Sequence, residues 1–163
     1  MRIMEEACIQ EIHRLHEEFV KWFTASVPNT EDNFAPISSA LSDDFHMVPP
    51  KGILVSQPCL TNSLRNAYGC RKDSPFRIEI KNCKLICDES QTINQDCRSK
   101  DSLCMISYEE WQYVGEKEES GRISTVIFHC KMASDTGNAN DKEPNISWLN
   151  VHETWIHGKE PKA

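Results

Sequence analysis

The sequence predicts an α+β fold in which N-terminal helices pack in the concave face of a curved, mainly antiparallel sheet. Its first half has helical periodicity, and three long strand-like segments fill its last third, over residues 105–113, 121–128 and 146–156. The α+β class is characterised by this order, in which helices are followed by a run of antiparallel strands. A sheet that wraps round helices leaves a cavity at its open end, where ligands tend to bind.

Two helices and a shorter one are predicted from apolar spacing and capping residues. Residues 4–24 carry one apolar stripe at spacings of three and four, formed by Cys8, Ile12, Leu15, Phe19, Trp22 and Phe23. Pro36 is expected to open a short helix over 37–41. Ser56 is expected to cap a further helix that has Pro58 in its first turn and ends at Gly69.

The strands are predicted from alternation and from the residues that interrupt it. Residues 45–48 read as a short strand that Pro49 stops. Residues 76–87 alternate and then continue as one long, bent strand. Residues 88–101, 115–120 and 133–144 are polar and predict loops. We therefore expect one domain over residues 1–158 and a disordered tail over 159–163.

Charge and length bound the function. The chain has 163 residues, enough for one domain with a substantial core. Its net charge of −7 argues against nucleic acid as a partner, because phosphate binding needs a basic surface. No apolar run approaches the roughly 20 residues of a membrane-spanning helix, and Glu5 and Glu6 lie where a signal peptide needs uncharged residues. We expect a cytoplasmic protein without a membrane partner.

The eight cysteines predict free thiols. No pair of them has the C-x-x-C spacing of a zinc or redox site, and scattered thiols are normal in a reducing compartment. His13 and His16 lie on or near the polar side of the first helix, and no third ligand is near them in sequence. We therefore expect no metal and no cofactor.

Two mid-strand pairs are candidate acids and bases. His152 and Glu153 are adjacent, so they face opposite sides of the sheet, and only one of them can point inward. An imidazole or carboxyl in an apolar cavity has a pKa suited to proton transfer. The alternatives are a structural hydrogen bond or a contact between subunits.

Glu109 and Glu110 form the second pair, and one of them must face inward. A buried glutamate needs a partner such as His152, His46 or Arg122. A paired, non-catalytic glutamate is the favoured alternative here. Among these acids, Glu109 and Glu153 are retained as candidate catalytic groups together with His152.

Large aromatic side chains are candidate ligand contacts. Trp111, Trp148 and Trp155 combine a wide apolar ring with an N–H donor. Tyr113 shares a strand face with Trp111, and His46 lies near the expected mouth of the cavity. Plain core packing is the favoured alternative for the aromatics.

The same segments carry a resemblance to a known family. Residues 40–52, the helix that ends at Gly69, and the three strands, above all 108–112, 121–125 and 148–155, resemble an uncharacterised branch of the nuclear-transport-factor-two-like superfamily. This superfamily is also called the SnoaL-like or cystatin-like cone. The resemblance covers residues 5–157 and implies a cone fold. It implies no single activity, because the members include isomerases, cyclases, dehydratases and non-catalytic domains.

One departure from the family is informative. Steroid isomerases of the superfamily take their general base from a D-D-x-x-x-x-D-P segment, with which residues 43–50 align without gaps. The position of the base falls on Pro49, which cannot abstract a proton. Polyketide cyclases of the SnoaL kind place an acid on a late strand, where Glu153 or Glu109 can stand.

Three functions remain open from the sequence. The first is binding of a small, partly apolar molecule in the cone cavity. The second is an enzyme that performs proton-transfer or hydration chemistry there, which requires an inward acid with a raised pKa. The third is a non-catalytic dimerisation or adaptor module. Since the strands are apolar on both faces, we expect a homodimer through the outer face of the sheet.

Overall fold

The computed structural model describes residues 3–88, 101–131 and 144–162. Its helices are α1 (Ile3–Phe23), α2 (Glu31–Ser38) and α3 (Gln57–Asn66). Its strands are β1 (Leu41–Val48), β2 (Val55–Ser56), β3 (Phe76–Asp88), β4 (Asp101–Val114), β5 (Lys117–Lys131) and β6 (Asn145–Trp155). The helices all precede the four long strands, as the sequence predicts.

The six strands form one sheet with the order β2-β1-β6-β5-β4-β3. Every pairing is antiparallel except that of β1 with β6. The register shifts at extra residues in β1, β3, β5 and β6, and such irregularities bend strands and increase their twist. Helix α1 lies across the concave face and contacts β3 and β4. The predicted α+β fold class is confirmed.

The core lies between α1 and the inner face of the sheet. On β4 the even-numbered residues Ile106, Tyr108 and Glu110 are buried, and the odd-numbered residues face outward. The rest of the core comes from α1, α2, β1, β5 and β6, and it includes Cys8, Ile12, Leu15, Trp22, Phe34, Phe45, Val126, Phe128 and Trp148. This alternation decides which polar side chains enter the cone.

Several predicted boundaries are wrong. Most of the predicted loop at 115–120 is strand, because β5 begins at Lys117, and the third helix ends at Asn66 and not at Gly69. The second helix was expected at 37–41, but α2 begins at Glu31 and ends before that stretch is complete. Thr30 caps it by accepting a hydrogen bond from the amide of Asn33, so the capping residue, not the proline, sets its start. Strand β1 begins at Leu41 because the amide of Trp148 pairs with the carbonyl of Ala40 and brings this segment onto β6.

The described cysteines are Cys8, Cys59, Cys70, Cys83, Cys87, Cys104 and Cys130, and each has a free thiol; Cys97 lies outside the described residues. The predicted loops 88–101 and 133–144 also lie almost wholly outside them. At the expected tail, the amide of Gly121 donates to the carbonyl of Lys159 at 2.9 Å. None of the described helices combines the length and apolar character needed to span a membrane.

Candidate functional site

A cavity of about 170 Å³ lies between α1, α3 and the inner face of the sheet. Most of its wall is aliphatic or aromatic, supplied by Leu15, Phe19, Phe23, Leu41, Phe45, Met47, Leu60, Leu64, Ile78, Tyr108, Trp148 and Val151. Its polar wall consists of His16, Glu110, Gln112, Arg122 and Glu153. An apolar chamber with a small convergent group of polar side chains is the usual form of a small-molecule site.

Arg122 lies at the centre of the polar wall. Its Nη2 donates to Oε1 of Glu110 at 2.7 Å, and its Nη1 donates to Oε2 of Glu153 at 3.0 Å. The three residues come from the neighbouring strands β4, β5 and β6, and all point into the cone because they share the inner face. Burial would lower the pKa of Arg122, but the two carboxylates outweigh burial and raise it, so the guanidinium stays charged.

His16 extends this group onto the helix. The ring is only 5% exposed, with Nδ1 at 2.7 Å from the carbonyl of Ile12 and Nε2 at 3.2 Å from Oε2 of Glu110. These two contacts fix the ring of His16 between its own helix and the carboxylate of Glu110.

Glu110 is held as a carboxylate. Burial alone would raise its pKa, but the charge of Arg122 and the hydrogen bond from His16 outweigh burial and hold the pKa well below its usual range. Gln112 adds a donor to Oε1 at 2.8 Å. Three donors therefore occupy the two oxygens, so Glu110 is suited to anchoring Arg122 and His16 and unsuited to taking up a proton.

Glu153 is less fully bonded. It is 7% exposed. Besides Arg122, the one donor that the described residues offer it is the Ser124 hydroxyl, 3.5 Å from Oε1, whereas hydroxyl bonds normally measure about 2.7–2.8 Å. Burial raises the pKa of Glu153, and Glu110 nearby adds to this, although Arg122 opposes it. Two carboxyls on one guanidinium are thus driven to opposite pKa shifts, which is the pattern that separates an acid–base group from its support.

The structure places three of the predicted site residues on the inner face of the sheet. Glu153 and Trp148 line the cavity, and the indole N–H of Trp148 donates to Glu11 on α1 at 3.1 Å. Trp155 follows Glu153 by two residues on the same face, with its ring centroid 5.7 Å from the guanidinium carbon of Arg122. Trp155 is not part of the cavity wall itself.

The other five predicted site residues lie outside the cavity. Glu109, Trp111 and Tyr113 are on the outer face of β4, where Trp111 donates to Glu109 at 2.9 Å. His152 and His46 are exposed. The predicted cavity roles of these residues do not fit their placement, because strand alternation turns the neighbouring Glu110 and Glu153 inward. The sequence alone did not tell which residue of each adjacent pair faces inward, since both faces of β4 carry apolar residues.

Sequence reasoning underestimated His16. It was placed on or near the polar side of α1, yet it lies four residues after Ile12 and three before Phe19, which is the spacing of the buried stripe. That spacing was the available signal. The described residues hold no group of three His, Cys, Asp or Glu side chains arranged to bind a metal ion.

Comparison with solved structures gives fold neighbours. An NTF2-like protein of unknown function from Pseudomonas aeruginosa has a TM-score of 0.66 at 23% identity, over 92% of this chain and 98% of that chain. Another from Pseudomonas putida has a TM-score of 0.55 at 10% identity, over 98% and 93%. ActVI-ORFA from Streptomyces coelicolor has a TM-score of 0.51 at 10% identity, over 94% and 98%.

These likenesses extend over almost the whole chain, and they show that it has the NTF2-like, cystatin-like cone fold. No protein-family model matches the sequence, and no curated protein matches it. The identities are low, so what the cavity does has to be argued from its own residues.

Proposed function

We propose that the protein binds a small, largely apolar molecule in the cone cavity, with the molecule's polar end directed at Glu153 and Arg122. The observation that carries this proposal is the division of the cavity wall into aromatic and aliphatic side chains on most sides and five polar side chains on one. Apolar walls supply affinity through burial, and a few fixed polar groups supply orientation.

The volume limits the size of the ligand. An apolar cavity of about 150 Å³ holds one benzene molecule, and this cavity measures about 170 Å³. A molecule built on a single six-membered ring therefore fits without rearrangement. Phe19, Phe45 and Trp148 offer ring faces and edges for such a ligand.

Toluene titration followed by amide chemical shifts tests the proposal. Toluene should bind the wild type, and Leu64→Phe should abolish binding because the added ring occupies the cavity. Leu54→Phe is the matched control, since Leu54 is 66% exposed and outside the cavity, and it should bind like the wild type. Binding that persists unchanged in Leu64→Phe would place the ligand elsewhere and refute the proposal.

An enzyme using the same cavity is the second candidate. It is favoured by one observation, the under-bonded Glu153 carboxyl with its pKa raised by burial inside an apolar chamber. Such a group can give or take a proton in general acid–base catalysis. Once substrate screening finds a turnover, Glu153→Gln should lower kcat about 10²–10⁴-fold, while Glu116→Gln on an exposed turn should leave it unchanged. Near-full activity of Glu153→Gln would exclude this candidate.

We further propose a cytoplasmic homodimer that associates through the outer face of the sheet. Support comes from the exposed apolar side chain of Ile123 on that face, near the half-buried Trp111 and Tyr113. The seven free cysteines among the described residues support a reducing compartment. In an adaptor module the cavity would be filled, and the open cavity favours the first two candidates over that one.

A further inference from the structure

Among the described residues, Glu153 is the least fully bonded acceptor of the polar wall. Glu110 accepts from Arg122, Gln112 and His16 at 2.7–3.2 Å. Oε2 of Glu153 accepts from Arg122 at 3.0 Å, but the one donor that the described residues bring near Oε1 is the Ser124 hydroxyl at 3.5 Å. A carboxylate oxygen can accept two hydrogen bonds, and leaving it short of donors away from water is unfavourable. The cavity therefore lacks a donor at Glu153.

The charge of the polar wall argues for a neutral ligand. Arg122 pairs with both Glu110 and Glu153, and Glu110 also bonds His16. Each charged group of the polar wall therefore already has a partner without a ligand. A charged ligand would enter an apolar chamber without a counter-ion of its own, and burying an unpaired charge is costly.

We propose that the ligand of this cavity is a neutral, ring-sized alcohol or phenol whose hydroxyl donates a hydrogen bond to Oε1 of Glu153. This inference rests on the proposed small-molecule function and specifies its ligand class. The ring lies among Phe19, Phe45 and Trp148, and the hydroxyl supplies the missing donor. A carboxylate ligand is disfavoured because it would face Glu153, and an amine cation because it would face Arg122.

Four probes of nearly equal size separate these chemistries. Toluene has the ring alone, and p-cresol adds a hydroxyl that donates. Anisole is an isomer of p-cresol whose oxygen only accepts, and benzylamine carries a cation. Dissociation constants for the wild-type protein near neutral pH should rank p-cresol at least about tenfold tighter than toluene, since hydrogen bonds to charged groups are the strong class. Anisole should be no tighter than toluene, and benzylamine should be weaker than p-cresol.

Two variants test the role of Glu153. Glu153→Met keeps the length of the side chain and removes both acceptors, so p-cresol should lose its advantage and bind about as well as toluene. Ser124→Ala is the matched control on the neighbouring strand, because it removes the 3.5 Å contact and leaves Oε1 free. The preference for p-cresol should persist in Ser124→Ala. Toluene affinity in each variant reports whether the cavity is intact.

The outcomes separate this inference from the function on which it rests. If toluene binds but p-cresol is no tighter, or if anisole equals p-cresol or benzylamine exceeds it, the ligand class is wrong and the cavity function stands. A p-cresol preference that survives in Glu153→Met likewise overturns it. If no probe binds, or if Leu64→Phe binds all of them, both proposals fail. Should Glu153→Met not fold, the wild-type ranking of p-cresol against anisole decides alone.

Discussion

Glu110 accepts a hydrogen bond from His16 across the interface between α1 and β4, with 3.2 Å between Oε2 and Nε2. Both side chains are about 5% exposed, so the contact joins helix and sheet where water does not compete. Arg122 binds the other oxygen of the same carboxylate at 2.7 Å. One glutamate thus fixes the position of the guanidinium that holds Glu153 and of the helix that forms the cavity's opposite wall.

The first prediction concerns the stability that depends on Glu110. Glu110→Gln should lower the free energy of unfolding by about 3 kcal/mol, because removing one member of a buried ionic group leaves its partners uncompensated. Urea denaturation monitored by tryptophan fluorescence measures the change. Glu116→Gln makes the same substitution at an exposed site and should stay within about 0.5 kcal/mol of the wild type. Equal effects of the two substitutions would show that the buried contacts of Glu110 do not stabilise the fold.

The second prediction is the pH dependence of that loss. The pKa of Glu110 is lowered in the folded state by Arg122 and His16, against the effect of burial. Its stabilisation is therefore complete above the unfolded pKa, about 4.3 for a glutamate, and is lost as the pH falls below that value. The difference in unfolding free energy between wild type and Glu110→Gln should shrink on acidification. A difference that stays constant down to pH values well below 4 would contradict the assignment.

Glu153 should behave with the opposite sign. Its pKa is raised by burial and by Glu110, although Arg122 opposes this. Ionisation of Glu153 therefore destabilises the fold, and the loss of stability grows as the pH rises through the folded pKa. Relative to the wild type, Glu153→Gln should therefore gain stability between mildly acidic and neutral pH. Urea midpoints measured across that range check the sign. A variant that loses relative stability as the pH rises would show that Glu153 is stabilised as an anion.

The third prediction concerns a close approach on the outer face. A Cβ at Gly121 would lie 2.8 Å from ring atoms Cε3 and Cζ3 of Trp111. Gly121→Ala should therefore cost about 1–3 kcal/mol of stability, the usual range for overpacking. The same change should cost much less in a Trp111→Ala background, which a double-mutant cycle in urea measures. Strictly additive effects would show that the indole does not restrict this position.

The fourth prediction is the assembly state. Light scattering at micromolar concentration should give about twice the chain mass of 18.7 kDa. Ile123→Lys places a charge on the outer face and should shift the protein toward the monomer, whereas Ile53→Lys, at an exposed position between β1 and β2, should not. A wild-type mass near 18.7 kDa would refute the dimer.

The fold was largely predictable from the sequence because its signals are local. The stripe of α1, the alternation of β3 and the turn residues between strands each depend on neighbouring residues, and together they specify helices before an antiparallel sheet. The start of α2 was missed because Pro36 was given more weight than Thr30, whose side chain caps the helix. The extension of β1 depends on pairing with β6, more than a hundred residues later in the sequence, which no local pattern encodes.

The site was only partly predictable because it depends on which of two adjacent strand residues faces the cavity. The segments containing Glu109-Glu110 and His152-Glu153 were found as polar positions in apolar strands, but which member of each pair faces the cone depends on how β4 and β6 lie on the helices. Trp111 and Tyr113 illustrate the difficulty. They are large aromatics on an outer face, where cations such as Arg77, 4.0 Å from the Tyr113 ring, cover them, so aromatic content did not distinguish the two sides.

The measurement that tests the central claim most directly is a set of intermolecular NOEs between bound toluene and methyl groups of the protein. The cone cavity predicts NOEs to the methyl groups of Leu15, Leu60 and Leu64, which line it from two helices. It predicts none to Ile123, which is 40% exposed on the outer face. NOEs to Ile123 without any to the three leucines, or no NOEs at saturating toluene, would contradict the assignment of the cavity as the ligand site.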